Sequence, residues 1–124
     1  YARVDVLHSS RHVRVELAGH LLAESRRPRL LFETGLPTRH YLPKQDVRME
    51  LLEASPTRTR CPYKGEASYW SLRLGDTLIP DIAWSYREPI PECPKIADLV
   101  CFFDEKVDTT VDGELRPRPI TDWS

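Results

Sequence analysis

Apolar and polar residues alternate along several short stretches of the chain, the period-2 pattern of half-buried strands. Val13, Val15 and Leu17 alternate with Arg14 and Glu16, and Ala18-Gly19 then predicts a hairpin turn into Leu21-Leu22-Ala23. Leu30-Leu31-Phe32 is an apolar run closed by the carboxylate of Glu33. Gly35-Leu36-Pro37 turns the chain into Arg39-His40-Tyr41-Leu42, and Pro43 ends that strand. Residues 44–47 have the length of one helical turn, whereas Met49-Glu50-Leu51-Leu52 fits strand and helix equally. Further on, Ser68, Trp70, Leu72 and Leu74 oppose Tyr69, Ser71 and Arg73, and Gly75-Asp76 closes a hairpin onto Leu78-Ile79. Ile82, Trp84 and Tyr86 form a second period-2 set. One helix is predicted over residues 94–100, because Pro94 suits a first turn and Ile96, Leu99 and Val100 share a helical face. Cys101-Phe102-Phe103 and residues 107–111 read as closing strands, and residues 115–124, with Arg116-Pro117-Arg118-Pro119, as an extended tail.

These elements add up to a mainly β fold of two small antiparallel sheets with one short α-helix. Eleven prolines against five glycines agree with many short, stiffly connected strands. At 124 residues the chain reads as one domain, 1–124, large enough for a hydrophobic core without disulfide staples. Charged residues make up 30% but cancel to a net charge of −1, and the basic ones are scattered. No long-range field therefore points to nucleic acid as a partner. No apolar run reaches the length of a membrane span. Three cysteines without a CxxC pair argue against a disulfide framework and a zinc site, so the expected setting is a reducing cytoplasm. No charged-then-apolar leader is seen, although Tyr1 in place of Met is compatible with a removed N-terminal segment.

Candidate chemistry concentrates in Thr59-Arg60-Cys61-Pro62-Tyr63-Lys64-Gly65-Glu66-Ala67-Ser68-Tyr69-Trp70. Pro62 cannot donate a ladder hydrogen bond and Gly65 tolerates angles closed to other residues, so a strand through Thr59 is expected to kink here with Lys64 inside the kink. Lys64 has three readings: a Schiff-base amine, an anion-binding group, or the structural partner of Glu33, with Tyr63 and Tyr69 as an apolar wall. Glu33, at the end of an apolar run, reads either as a general acid or base or as a strand-end carboxylate in an ion pair. Cys61 is a nucleophile only if a base activates it and otherwise a small core residue, the reading Cys93 and Cys101 also receive. Tyr41, Trp70, Trp84 and Tyr86 are each core aromatics or the lining of a pocket. Their phenol and indole groups add to a supply of polar ends that a pure core would have to satisfy. None of His8, His12, His20 and His40 has metal-ligand spacing with another, and no metal or cofactor is expected.

Blocks along nearly the whole chain resemble the uncharacterised DUF427 domains. They are Arg11-His12-Val13-Arg14-Val15, Leu22-Ala23-Glu24-Ser25, Leu31-Phe32-Glu33, Tyr41-Leu42-Pro43, Asp46-Val47, the 59–70 stretch, Ala83-Trp84-Ser85-Tyr86 and residues 91–103. His40, where an aromatic residue is common, and Cys93-Pro94 depart from the pattern. The resemblance implies a tent-like arrangement of two sheets pinned at one edge, shared with zinc-ribbon chaperones, methionine sulfoxide reductases and the thalidomide-binding domain of cereblon. The zinc of those relatives does not carry over, because their CxxC pairs are missing. Some members look like tandem duplications, which makes this chain a single-copy member or the second copy of a longer protein. A label linking the family to nucleotidyl transfer finds no glycine-rich phosphate loop and no paired aspartates here.

Two functions follow as expectations. One is a small-molecule site walled by Tyr41, Cys61, Tyr63, Trp70, Trp84 and Tyr86, in which Glu33 moves a proton and Lys64 stabilises developing negative charge. The other is a non-catalytic module of the cereblon-like type, using the same aromatic wall to hold a ligand or a peptide end. The sequence carries no signal for substrate identity or oligomeric state.

Overall fold

A computed structural model of the protein describes residues 3–62, 64–88 and 94–120. It contains two antiparallel sheets built from eleven strands. In chain order these are β1 (Val4–His8), β2 (Val13–Leu17), β3 (His20–Ser25), β4 (Arg29–Glu33), β5 (Arg39–Leu42) and β6 (Leu52–Cys61). They are followed by β7 (Gly65–Leu74), β8 (Thr77–Ser85), β9 (Val100–Phe102), β10 (Asp108–Val111) and β11 (Glu114–Leu115). The seven-stranded sheet runs β1-β4-β5-β9-β8-β7-β6 and the four-stranded one β11-β10-β2-β3. Among the described residues no helix is long and apolar enough to cross a membrane.

In the seven-stranded sheet alternate residues reach two different cores, whereas in β2 Val13 and Val15 enter a core and Arg14 and Glu16 stay at the surface. Val13, Val15, Leu22, Leu72, Val100 and Phe102 belong to the larger core, to which both sheets contribute. Leu31, Tyr41, Ala67, Trp84, Ile96 and Cys101 form a second cluster. Leu31 and Tyr41 point there while Leu42, the next residue along β5, joins the larger core, so the second cluster occupies the other face of the seven-stranded sheet. Val4 and Val6 from β1 pack on this cluster together with Cys61 and Tyr69 from β6 and β7, at the opposite end of the strand order. Strands lie about 4.8 Å apart, so β1 and β7 of a flat sheet would be separated by well over ~20 Å. The sheet must therefore roll around the second cluster, the exaggerated form of ordinary strand twist. Bulges at Val15/Glu16, between Ala54 and Arg58 and between Trp70 and Leu72 mark where the ladders bend.

Three local expectations are corrected. Residues 94–100 are not a helix: a single 3₁₀ turn covers Pro94–Ile96, Asp98 takes a left-handed φ of 58°, and β9 begins at Val100. Ile96 and Val100 match helical spacing by coincidence, since each enters a different core. The 59–70 stretch is not one kinked strand. Cys61 pairs with Gly65 and Lys64 N–H donates to Cys61 C=O at 3.3 Å, so the chain reverses at Pro62 in a tight hairpin. Pro62 has no N–H to continue the ladder, and Gly65 takes a φ of 113° that side-chain-bearing residues avoid. Finally, the tail does not start at residue 115: β11 pairs with β10 before the extended segment begins. The ambiguous 49–52 stretch is both structures in turn, a 3₁₀ turn over Met49–Leu51 followed by β6.

Candidate functional site

Rolling the sheet brings the end of β4 against the β6–β7 hairpin, and a cavity of about 370 Å³ lies between them. Glu33 and Lys64 both line it. Lys64 Nζ donates to Glu33 Oε1 at 2.6 Å, and each side chain is only 12% exposed. Glu33 ends β4 and Lys64 lies in the turn before β7, four places away in the sheet order, so the contact depends on the curl and not on chain neighbourhood. The ammonium also lies 5.9 Å from the Tyr86 ring centre, within range of a cation–π attraction.

Four aromatic rings share the remaining wall with Leu36, Arg39, Thr59, Arg60, Cys61 and Pro62. Trp84 and Tyr86 project from and just beyond β8 on the same face, Tyr69 comes from β7, and Phe103 follows β9. Trp84 meets Phe103 with ring centres 4.5 Å apart, and Phe103 stacks on Tyr69 at 6.2 Å. The Tyr69 hydroxyl is satisfied by Thr59 Oγ1 at 2.7 Å. Burial first, and then neighbouring Cys61 and Tyr69, holds the Tyr86 phenol well above its ordinary pKa, so it serves as a neutral hydrogen-bonding group.

Arg39 adds a second cation to the lining. It donates to Glu105 through both Nη1 (2.7 Å) and Nη2 (2.8 Å), and its guanidinium lies 5.3 Å from the Trp84 ring centre. Burial works against this charge, but the hydrogen bonds to Glu105 and the nearby acidic groups outweigh it and raise the Arg39 pKa. The guanidinium is thus a fixed, always-charged support for one face of Trp84.

The expected site residues that the structure describes divide into three groups. Glu33, Lys64, Cys61, Trp84 and Tyr86 all line this cavity. Tyr41 stands behind it: fully buried, it accepts a hydrogen bond from Trp84 Nε1 at 2.9 Å and so fixes the indole. Burial drives its phenol far above the ordinary range, and the neighbouring Cys101 thiol is likewise driven up by burial and is unreactive. Trp70 belongs elsewhere. One residue beyond Tyr69 on β7, it faces the larger core, where its Nε1 donates to Ser85 Oγ at 3.1 Å. Tyr63 and Cys93 lie outside the described residues. Arg39 and Phe103 are lining residues that were not singled out from the sequence. Arg39 carried a usable signal, since it is two positions from Tyr41 on a strand and must share its face.

Among the described residues no group of three or more His, Cys, Asp or Glu side chains is placed to hold a metal ion. The model for the domain of unknown function DUF427 matches residues 5–113, a stretch that includes every strand contributing to the cavity. The chain belongs to the DUF427 family. No curated protein matches it. The DUF427 match thus covers Glu33, the 59–70 hairpin and Trp84 as parts of one domain, without attaching a reaction to any of them.

Proposed function

We propose that this DUF427 domain binds a small, mostly apolar organic molecule in the Glu33–Lys64 cavity and moves a proton on it. The observation that carries the reading is the ion pair itself. A carboxylate and an ammonium 2.6 Å apart, nearly withdrawn from water, face a cavity whose other walls include the rings of Tyr69, Trp84, Tyr86 and Phe103. Two buried charges are costly to desolvate, and an apolar pair of the same volume would do as well for stability alone.

The pair suits proton abstraction beside a carbonyl. A neutral carbonyl compound lying against Trp84 and Phe103 would accept a hydrogen bond from Lys64, which has N–H donors beyond the one given to Glu33. Glu33 Oε1 would take the proton from the adjacent carbon, and the charge developing on the carbonyl oxygen would be stabilised by the ammonium. Cys61 and Arg39 contribute to the wall of the cavity in this scheme and take no part in the transfer. The expected partner is a small molecule; neither nucleic acid nor a membrane enters the proposal. A cytoplasmic setting belongs to the same reading and is supported by the free thiols of Cys61 and Cys101.

The test is deuterium exchange. Purified protein is incubated in D2O with a panel of aryl ketones and aryl aldehydes bearing α-protons, and loss of the α-proton signal is followed by NMR. Exchange above the uncatalysed rate, lost in E33Q and K64M, supports the proposal. Binding of panel members with no exchange above background would replace it with the recognition-module reading, in which the aromatic wall holds a ligand without turnover.

A further inference from the structure

A second cavity, of about 380 Å³, lies on the other side of β4 and β5. Strand alternation explains its position. Glu33 and Arg39 line the first cavity, whereas Leu30, Phe32 and His40, of opposite parity, line the second. Its far wall is made by Thr109 and Val111 of β10 and by the Arg116–Pro119 segment after β11. That segment is held against β10 by Arg116 N–H donating to Thr109 C=O at 2.8 Å.

Three features of this cavity are unexplained by the fold. Phe32 remains 37% exposed on an otherwise well-paired strand. The Arg116 guanidinium makes no hydrogen bond or close ion pair among the described residues, only a longer-range attraction to Asp104, while Arg11, which lines the same cavity, uses Nη1 on Asp112 and keeps further donors. His40 Nδ1 is buried without a hydrogen-bond partner, a condition that costs stability unless something fills the gap. The imidazole is also held neutral, its pKa pushed down to about 4 by burial first and then by the charges of Arg116 and Arg11. Both guanidiniums thus act on His40 from the lining of this cavity.

We propose that this second cavity binds a small organic carboxylate with an apolar body. The carboxylate lies at the mouth against Arg116 and Arg11, and the body covers Leu30, Phe32 and Val111. Asp104, which also lines the cavity, sets this orientation. Its carboxylate already accepts from Thr109 Oγ1 at 2.8 Å and lies 3.7 Å from Arg39, and it would repel an anion entering deeper. A neutral His40 facing the body of the ligand suits an uncharged hydrogen-bonding substituent there.

The experiment is a 1H–15N NMR titration of the full chain with benzoate, run beside inorganic phosphate and benzyl alcohol at equal concentration. Benzoate is expected to shift amides at His40, Thr109 and Arg116, with phosphate and benzyl alcohol at least about tenfold weaker, since each retains only one half of the recognition. R116A, which changes an exposed side chain and leaves the fold intact, is expected to weaken benzoate by about tenfold, and R116K to recover part of the loss. Equal binding by phosphate would make this a bare anion site and overturn the proposal. Unchanged affinity in R116A, or shifts confined to Cys61, Lys64 and Tyr69, would overturn it too. E33Q serves as an independent control, because it disables the first cavity and is expected to leave this titration unaltered.

Discussion

Breaking the Glu33–Lys64 pair one residue at a time should cost far more than removing both. At 2.6 Å and an effective dielectric of about 20, the Coulomb attraction is ~6 kcal/mol. Each side chain is only 12% exposed, so solvent screening removes little of it, while desolvation of each ion opposes it by several kcal/mol. The net value of the pair is therefore small, yet either partner left alone keeps its desolvation cost and loses its attraction. K64M and E33A should each destabilise by ~3–5 kcal/mol, and the double variant by much less than their sum.

Urea denaturation monitored by tryptophan fluorescence gives the four free energies of the cycle. A coupling of at least ~2 kcal/mol is expected, which displaces a midpoint by about 1 M at an m-value near 2 kcal/mol/M. The exposed Arg48–Glu50 pair, 2.9 Å apart but open to water, is the control and should show a much weaker coupling. Additivity at Glu33 and Lys64 within a few tenths of a kcal/mol would refute the reasoning, because it would mean the two charges do not meet in the folded protein. The cycle also separates two roles of the pair. As a clasp holding the rolled sheet, it is replaceable by apolar residues without loss of stability; as an acid–base site, it is not replaceable without loss of exchange activity.

Other outcomes follow from the same geometry. Y41F should cost about 1–3 kcal/mol, measured by thermal or urea unfolding, because it strands the buried indole N–H of Trp84. W84A should carry the full core penalty of ~3–5 kcal/mol in the same assay, since Trp84 is only 8% exposed. R39M removes the two-pronged hydrogen bond to the nearly inaccessible Glu105 and should cost about 3–5 kcal/mol in urea. The His40 pKa falls from 6.5 to about 4 on folding, so its contribution is present above pH 6.5 and is lost as pH drops towards 4; unfolding free energies from urea melts should decline by up to ~3 kcal/mol over that window, and less in H40Q. Asp104 in the same cavity has its pKa raised by burial, so its own contribution grows as pH falls and D104N should steepen the decline.

The strands were legible because alternation is a local signal that needs no knowledge of the partner strand. Val13 to Leu17 and the Gly75 turn could be read directly for that reason. The Ile82, Trp84, Tyr86 alternation fails: after the left-handed Asp81, Ile82 enters the larger core and Trp84 and Tyr86 the second cluster. The helix over 94–100 failed on the same logic, since Ile96, Leu99 and Val100 satisfy helical spacing while Asp98 reverses the backbone between them. Glu33 and Lys64 could be marked as odd residues, a carboxylate ending an apolar run and an amine in a Pro–Gly turn. Their contact could only be conjectured, because it spans 31 residues and depends on how far the sheet rolls. Trp70 shows the sharpest limit. A change of one residue in parity separates it from Tyr69, and no property of a tryptophan tells which of two apolar cores it enters.

Strand β5 concentrates this dependence on parity into four residues. Arg39 and Tyr41 face the first cavity and its supporting indole, while His40 lines the second cavity and Leu42 enters the larger core. A slip of one residue would put His40 where Arg39 meets Glu105 and would turn the Arg39 guanidinium towards Arg116 and Arg11. Both outcomes are strongly unfavourable, one by leaving a buried carboxylate without its donor and the other by crowding like charges. The register is thus specified from both faces at once, by the Arg39–Glu105 and Tyr41–Trp84 hydrogen bonds on one and by Leu42 packing on the other. Short as it is, β5 has little freedom to shift, and the walls it contributes to the two cavities are set together by the same pairing with β4 and β9.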